Sequence, residues 1–338
     1  MPAQVHIDEF LQNPNQLFVD VRSELEFEHA HIPGAVNIPL LRNEERKAVG
    51  TLYKQAGRAA AVKLGYELAG PRFADLYDAF HAVAHQNPVF YCWRGGLRSQ
   101  ISASILEWGG TPQKLIKGGY KSFRTKAIQA FQNQTKLVVL SGMTGVGKTE
   151  ILHLLKNKGA QILDLAGLAN HKGSALGGLG QKPQPSNEMF ENLLFHQWQQ
   201  MDFTQVIFTE NESRRIGSNV IPAALWNQLQ HSKIVDIHVA FETRLQRIIK
   251  EYGHFDALEL AECTERIKKR LGGLQLKLAL DALAANQIEQ WATILMDYYD
   301  RSYLHSRTEQ KSEIDEFNWD WENPEKMCDS ILNKYYKF

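Results

Sequence analysis

The strongest constraint on this chain is Gly142-Met143-Thr144-Gly145-Val146-Gly147-Lys148-Thr149, which fits G-x-x-x-x-G-K-[ST] and follows the apolar run Leu137-Val138-Val139-Leu140. A strand that feeds such a loop and then a helix allows few folds, because backbone N–H groups must wrap phosphate oxygens at the end of a parallel sheet. Gly142, Gly145 and Gly147 supply the backbone freedom and the close approach. Lys148 offers an ammonium to the terminal phosphates and Thr149 a hydroxyl to Mg²⁺. The helix expected from about Glu150 to Lys156, with Ile151, Leu152, Leu154 and Leu155 on its apolar side, offers its positive N-terminus. The motif leaves open what is done to the phosphate.

At 338 residues the chain is too long for one ordinary core, and enough of it precedes the loop for a complete domain, so two domains are expected. Lys plus Arg equals Asp plus Glu at 38 each, which excludes a global positive field. A polyanion must then be met by local clusters. The candidates are Arg244, Arg247 and Lys250 on one helix face and Arg266, Lys268, Lys269 and Arg270 in a second group, although solvated helix faces explain the same charges. Three cysteines, Cys92, Cys263 and Cys328, share no metal-type spacing and cannot all pair, which favours a reducing compartment. The start lacks a basic stretch before an apolar core, and no apolar run approaches the ~18 residues of a membrane span, so a soluble cytoplasmic protein is expected.

The first third alternates strand and helix. Leu17–Arg22 is a buried strand delivering Asp20 and Arg22, and a helical stretch is expected from about Glu44 to Ala69 and another from about Arg72 to His85. The strand Pro88–Tyr91 ends on Cys92. Trp93-Arg94-Gly95-Gly96-Leu97-Arg98-Ser99 follows, then a helix to about Trp108. A cysteine at that place meets backbone N–H groups and a helix N-terminus, and Arg94, Arg98 and the Gly-Gly pair suit an oxyanion, so the position favours a reactive thiolate over a small buried apolar residue. Cys263 and Cys328 carry no such features. Beyond the phosphate loop, Val206–Thr209 is a strand ending at Glu210. Glu210 and Glu212 stand where an NTPase's metal-binding acid would, or they pair with Arg214 and Arg215. His171, Lys172 and Ser174 open a glycine-rich stretch that suits a closing anion loop or a plain flexible connection. Phe190, Phe195 and Trp198 sit at helical spacing as core residues.

Asp20-Val21-Arg22, Glu26-Phe27 and His31-Ile32-Pro33-Gly34-Ala35-Val36-Asn37-Ile38-Pro39 resemble the rhodanese signature, and Lys117-Gly118-Gly119-Tyr120 resembles that fold's closing motif. Cys92 then falls where that family carries its persulfide. Its loop departs from the family, because Cys92 to Arg98 is C-x5-R, one residue longer than in the usual sulfurtransferases and equal to the rhodanese-fold phosphatases. With a phosphate loop behind it, YCWRGGLRS resembles the bacterial tRNA 2-selenouridine synthases over nearly the whole chain. Segments 164–174, 184–186 and 210–217 agree with that family as well.

The resemblance implies an α/β architecture: a rhodanese-like parallel-sheet domain over 1–120, a bridging helix over 121–135, and a P-loop domain with a helical C-terminal region over 136–338. It further implies a transferase acting on wobble 2-thiouridine in the anticodon loop of certain tRNAs, first attaching a geranyl group to sulfur from geranyl diphosphate and then installing selenium from selenophosphate. No tightly bound cofactor is expected, and a need for Mg²⁺ is left open, as is the oligomeric state. On that reading the phosphate loop and Lys148 stabilise a departing diphosphate, while Cys92 with Arg94 and Arg98 carries selenium or orients selenophosphate. The rival is a P-loop kinase or NTPase with a rhodanese-like phosphatase or regulatory domain.

Overall fold

Two five-stranded parallel sheets, one on each side of residue 131, organise the computed structural model, which describes residues 2–335 except 12, 14, 309–311 and 320. The chain divides into a first unit of Met1–Ala130 with Glu188–Gln200 and a second of Phe131–Asn187 with Met201–Phe338.

In the first unit β1 (Ala3–Val5), β2 (Phe18–Asp20), β3 (Val36–Asn37), β4 (Val89–Tyr91) and β5 (Lys114–Ile116) lie in the order β1-β5-β4-β2-β3. β2 and β4 are buried along their whole length, as parallel strands covered on both faces must be. Their register sets Asp20 beside Tyr91, so both strands finish at one level and Cys92 follows at the carboxyl edge. The helices are α1 (Asn43–Ala69), α2 (Phe73–Ala84), α3 (Leu97–Trp108) and α4 (Gly119–Gln129). α1 matches the expected span but is broken at Gly57, whose φ of 81° and ψ of −174° are not helical.

Two helices fall otherwise than composition suggests. α4, expected as a bridge over 121–135, buries Tyr120, Phe123 and Ala127 in the first unit and ends in a short 3₁₀ turn. The helix Asn187–Trp198, expected within the P-loop domain, packs with the first unit as well. Phe195 meets Phe123 edge-on at 5.5 Å, the Tyr120 hydroxyl donates to Glu188 at 2.8 Å, and Asn192 donates to the His31 carbonyl at 2.8 Å. Arg124 is held by Glu191 and Asn192. Phe190, Phe195 and Trp198 are core, as read, but in the other core.

In the second unit β6 (Leu137–Gly142), β7 (Gln161–Leu163), β8 (Ile207–Glu210), β9 (Lys233–His238) and β10 (Ile314–Asn318) run in the order β10-β9-β6-β8-β7. β6 is central and wholly buried, and its register with β8 sets Leu140 beside Glu210, just below the loop that β6 feeds. Leu140, Ile151, Leu155 and Phe208 join one core between the sheet and α5 (Lys148–Asn157). The last third is helical as expected apart from β10. Its helices α6 (Phe241–Tyr252), α7 (Ala257–Arg266) and α8 (Ile288–Thr308) close a second apolar cluster around Leu260, Trp291 and Ala292.

Candidate active sites

Cys92 is 4% exposed, and its Sγ receives the Gly96 backbone N–H at 3.2 Å and lies 3.3 Å from the Ser99 hydroxyl. The sulfur therefore sits at the N-terminus of α3, where free N–H groups and the helix dipole favour negative charge. The closing motif supports the loop from behind: Tyr120 N–H donates to the Cys92 carbonyl at 2.9 Å and Lys121 N–H to that of Trp93 at 3.0 Å. Gly119 has φ +59°, and any Cβ there would collide with the Cys92 carbonyl and the Gly95 nitrogen, so only glycine brings the two segments this close. Beneath them the Arg22 guanidinium lies 4.0 Å over the Tyr120 ring and binds the Asp20 carboxylate and the Ala30 carbonyl. The Asp20–Arg22 pair is thus the floor of the loop, with both side chains almost fully buried.

The two arginines expected at the thiol differ. Arg98 Nη1 is bound by Glu26 Oε2 at 2.6 Å, and Arg46 reaches the same oxygen at 3.5 Å. Burial pushes the Glu26 carboxyl up, but the hydrogen bond and charge of Arg98 outweigh it and hold the group at about 2. Arg94 is exposed at the loop surface. Sequence reading missed Ser99 and Glu26, and each had a local signal. Ser99 is one helical turn past Gly96, and Glu26 closes a capping box with Ser23. Cys263 and Cys328 are buried, and burial raises both thiols, Cys328 to about 11.

In the second unit α5 begins at Lys148, two residues earlier than expected, with Gly147 as its left-handed N-cap at φ 82°. A side chain at Gly147 would strike both Trp321 and Arg247. Lys148 Nζ donates to the Gly142 carbonyl at 3.4 Å, and Thr149 Oγ1 donates to Glu210 Oε2 at 2.6 Å. Burial first, and then the like charge of Glu212, push the Glu210 carboxyl up to about 8. Burial also raises Glu212. Thr149 and Glu210 could offer a hydroxyl and a carboxylate to a divalent cation at the loop. Arg214 and Arg215 are exposed, and the charges that act on these glutamates are those of Lys148 and neighbouring carboxyls, with neither arginine among them. A separate group, Asp236, His238 and Glu316 on β9 and β10, converges within metal-ligand reach.

His171, Lys172 and Ser174 line the same cavity as the phosphate loop, together with Gly145, Gly147, Lys148 and Thr149. Burial lowers the His171 pKa, which favours the neutral ring. Lys172 pairs with Glu251 at 2.6 Å, and the Ser174 turn is held where Ala175 N–H donates to the Tyr299 hydroxyl at 3.0 Å. The cavity encloses about 1420 Å³ within the second unit. Its lining mixes the cations Lys148, Lys172, Arg247, Lys250, Arg266 and Arg270 with the carboxyls of Glu150, Glu210, Glu212 and Glu251 and with the apolar and aromatic side chains of Leu176, Ile248, Leu295, Met296, Tyr298 and Tyr299.

The basic clusters read as polyanion contacts are split by the fold. Arg244 is 4% exposed, donates to both Asp300 oxygens at 2.9 and 2.8 Å and to the Thr144 carbonyl at 3.0 Å, so it braces the phosphate loop instead of facing a partner. Arg247 lies 3.7 Å over the Trp321 ring and donates to the Gly145 carbonyl at 3.2 Å. Trp321 was not foreseen, because it comes from the far end of the chain. Lys268 and Lys269 are exposed outside the cavity.

Residues 135–335 match the family described as tRNA 2-selenouridine synthase AAA domain, and residues 5–126 match the rhodanese-like domain. The chain belongs to the tRNA 2-selenouridine synthase family. A protein of that name from Shewanella frigidimarina is 35% identical over 89% of this chain and 91% of its own length. Another, from Nitrosomonas europaea, is 40% identical over 69% of this chain and 63% of its own length. Membership of the tRNA 2-selenouridine synthase family agrees with two parallel-sheet units, one carrying Cys92 at a helix N-terminus and the other a phosphate loop, and it makes the protein an enzyme. No helix among the described residues is long and apolar enough to cross a membrane.

Proposed function

We propose that this chain converts wobble 2-thiouridine of tRNA to 2-selenouridine in two steps, S-geranylation from geranyl diphosphate and then exchange of the geranylthio group for selenium from selenophosphate. The observation that carries this reading is the mixed lining of the cavity at the phosphate loop. A loop serving only a phosphate needs cations, whereas a hydrocarbon diphosphate also needs apolar contacts, as Leu176, Ile248, Leu295 and Met296 provide in the cavity that Lys148 lines.

In the first step the C1–O bond of the allylic diphosphate breaks, a C–S bond forms, diphosphate leaves and the thiouridine N3 proton is lost. Backbone N–H groups and Lys148 stabilise the leaving charge. In the second, the selenium of selenophosphate adds to C2, geranylthiol departs, and water cleaves the Se–P bond to release phosphate. Cys92, receiving the Gly96 N–H, holds the selenium donor at its loop. The experiment is incubation of the full chain with a 2-thiouridine anticodon stem-loop, geranyl diphosphate and selenophosphate, followed by mass spectrometry of nucleosides. Absence of both S-geranyl-2-thiouridine and 2-selenouridine sinks the reading. The Thr149–Glu210 contact favours one second reading, a Mg²⁺-dependent NTPase, and that reading requires nucleotide turnover in the same tube.

A further inference from the structure

α1 is the largest element of the first unit and the least explained by it. It spans 27 residues in two helical segments that meet at Gly57, yet only Ala61 and Ala69 are buried. A helix in water owes most of its stability to a packed apolar face, and this one leaves Tyr53 58% and Tyr66 51% exposed. Its charge is also unlike the rest of the chain. The protein as a whole is neutral, but the stretch 46–66 holds Arg46, Lys47, Lys54, Arg58 and Lys63 and no Asp or Glu. All five are exposed, and Lys47 and Lys63 make only long surface pairs with Glu44 and Glu67 at 3.9 and 3.8 Å.

The helix is continuous with the Cys92 loop. Arg46, Lys47, Tyr53 and Lys54 line a groove of about 630 Å³ whose remaining wall includes Arg98, and a second groove along Arg58, Lys63 and Tyr66 is closed by Leu97. Glu26 pairs with two cations that line the first groove, Arg98 at 2.6 Å and Arg46 at 3.5 Å. Trp93, directly after Cys92, is 39% exposed. Lysine and arginine set among exposed aromatic rings suit a strand that offers phosphates and unstacked bases. A contact between protein copies would instead favour an apolar centre depleted of lysine.

We infer that the basic surface of α1, with Arg98 in its first groove and Trp93 beside Cys92, is the docking surface for the anticodon arm of tRNA, delivering the wobble base to Cys92. This rests on the tRNA reading above. The site differs from the clusters at 244–250 and 266–270, and it gives the exposed helix and its acid-free stretch one cause.

The test measures fluorescence anisotropy of a labelled tRNA anticodon stem-loop on the full-length protein between 0.05 and 0.3 M salt, taken as roughly the range over which phosphate contacts are screened. Replacing Lys47, Lys54, Arg58 and Lys63 together by Ala should weaken binding by at least ~10-fold and reduce the slope of log K against log salt by about 3, as expected for four lost phosphate contacts. Arginine at Lys47, Lys54 and Lys63 should keep both. Wild-type affinity and slope in the alanine variant overturn the proposal, as does loss of binding only when Lys268, Lys269 and Arg270 are replaced. So does a change of sedimentation coefficient without RNA present and with RNA affinity intact, because the face then joins two copies of the chain. If the unaltered protein binds no stem-loop at all, the tRNA reading itself has failed, which this design separates from a misplaced surface.

Discussion

The Cys92 loop and the phosphate loop are built alike, each between the end of a parallel strand and the start of a helix, but with opposite electrostatics. Each uses a backbone N–H set at a helix N-terminus and a glycine that admits no side chain, Gly119 in one and Gly147 in the other. Around Cys92 the carboxylate, Glu26, is driven towards ionisation by Arg98. At the phosphate loop the carboxyl, Glu210, is driven towards its neutral form by burial and by Glu212. The first site keeps its charges paired before any ligand arrives. The second leaves a buried acid that a cation would relieve, in a cavity lined in part by apolar side chains. A covalent or oxyanion-handling thiol suits the former, and a departing diphosphate suits the latter.

Breaking the division of labour should have the largest effect. Cys92→Ser keeps the shape and the Gly96 contact but replaces the thiol with a hydroxyl, so 2-selenouridine formation should fall by ~10³-fold or more while S-geranyl-2-thiouridine accumulates. Loss of both products with normal stem-loop affinity defeats the comparison. Lys148→Ala should do the converse, lowering geranyl transfer by ~10²–10³-fold, the cost of removing one donor from a developing oxyanion. Selenation of a stem-loop already geranylated should then stay within about threefold of wild type. Equal loss of both steps would mean that the two loops share one reacting centre.

How much of this was legible in the sequence follows from the range of each interaction. The phosphate loop, the Cys92 loop and the alternation around them are local patterns, and all three stand where Gly142–Thr149 and Cys92–Ser99 suggest. The Asp20–Arg22 pair was visible as a strand end, whereas its partner Tyr120 lies about a hundred residues away and only a family motif marked it. Arg244 and Arg247 are neighbours on α6 with the same composition around them. Their fates diverge because Asp300 and Trp321, both distant in sequence, claim one each. The helix Asn187–Trp198 shows the same limit, since its apolar spacing predicts a buried face but not which core receives it.

The opposite pKa displacements give a third, smaller effect, read by hydrogen exchange because two units need not unfold together. Glu26 sits at about 2 when folded and near 4.5 when not, so it stabilises the first unit fully above about pH 4.5, and that contribution is lost as pH falls towards 2. With partial exposure discounted, about 1–2 kcal/mol is expected, so Glu26→Gln should speed exchange in β4 at pH 7 and abolish its acid sensitivity. Glu210 has the reverse sign. Its folded value of about 8 makes the native state hold the proton more tightly, so the second unit should lose protection as pH rises from about 4.5 to 8, and Glu210→Gln should flatten that loss in β8. Parallel pH profiles in the two units would remove the contrast.

The smallest effect concerns how each site fixes its arginine. Arg98 is held by an ion pair with Glu26, whereas Arg247 is held by the face of Trp321 at 3.7 Å as well as by Glu150 at 2.5 Å. Glu150 is 56% exposed, so its pair is weakened by salt, while the stack, shielded by the ring and by Gly147, is screened much less. Trp321→Leu removes about 0.5–2 kcal/mol of cation–π attraction but leaves the tethers to Glu150 and the Gly145 carbonyl. Inorganic pyrophosphate, titrated calorimetrically into the full chain, should therefore bind about 2- to 5-fold more weakly at 0.1 M salt, within what that energy allows. The penalty relative to wild type should widen at 0.5 M, where roughly only the stack still holds the guanidinium against the loop. An affinity ratio near one at both salt concentrations would mean that Arg247 is positioned by Glu150 and Gly145 alone, and that the two sites do not differ in how they fix their cations.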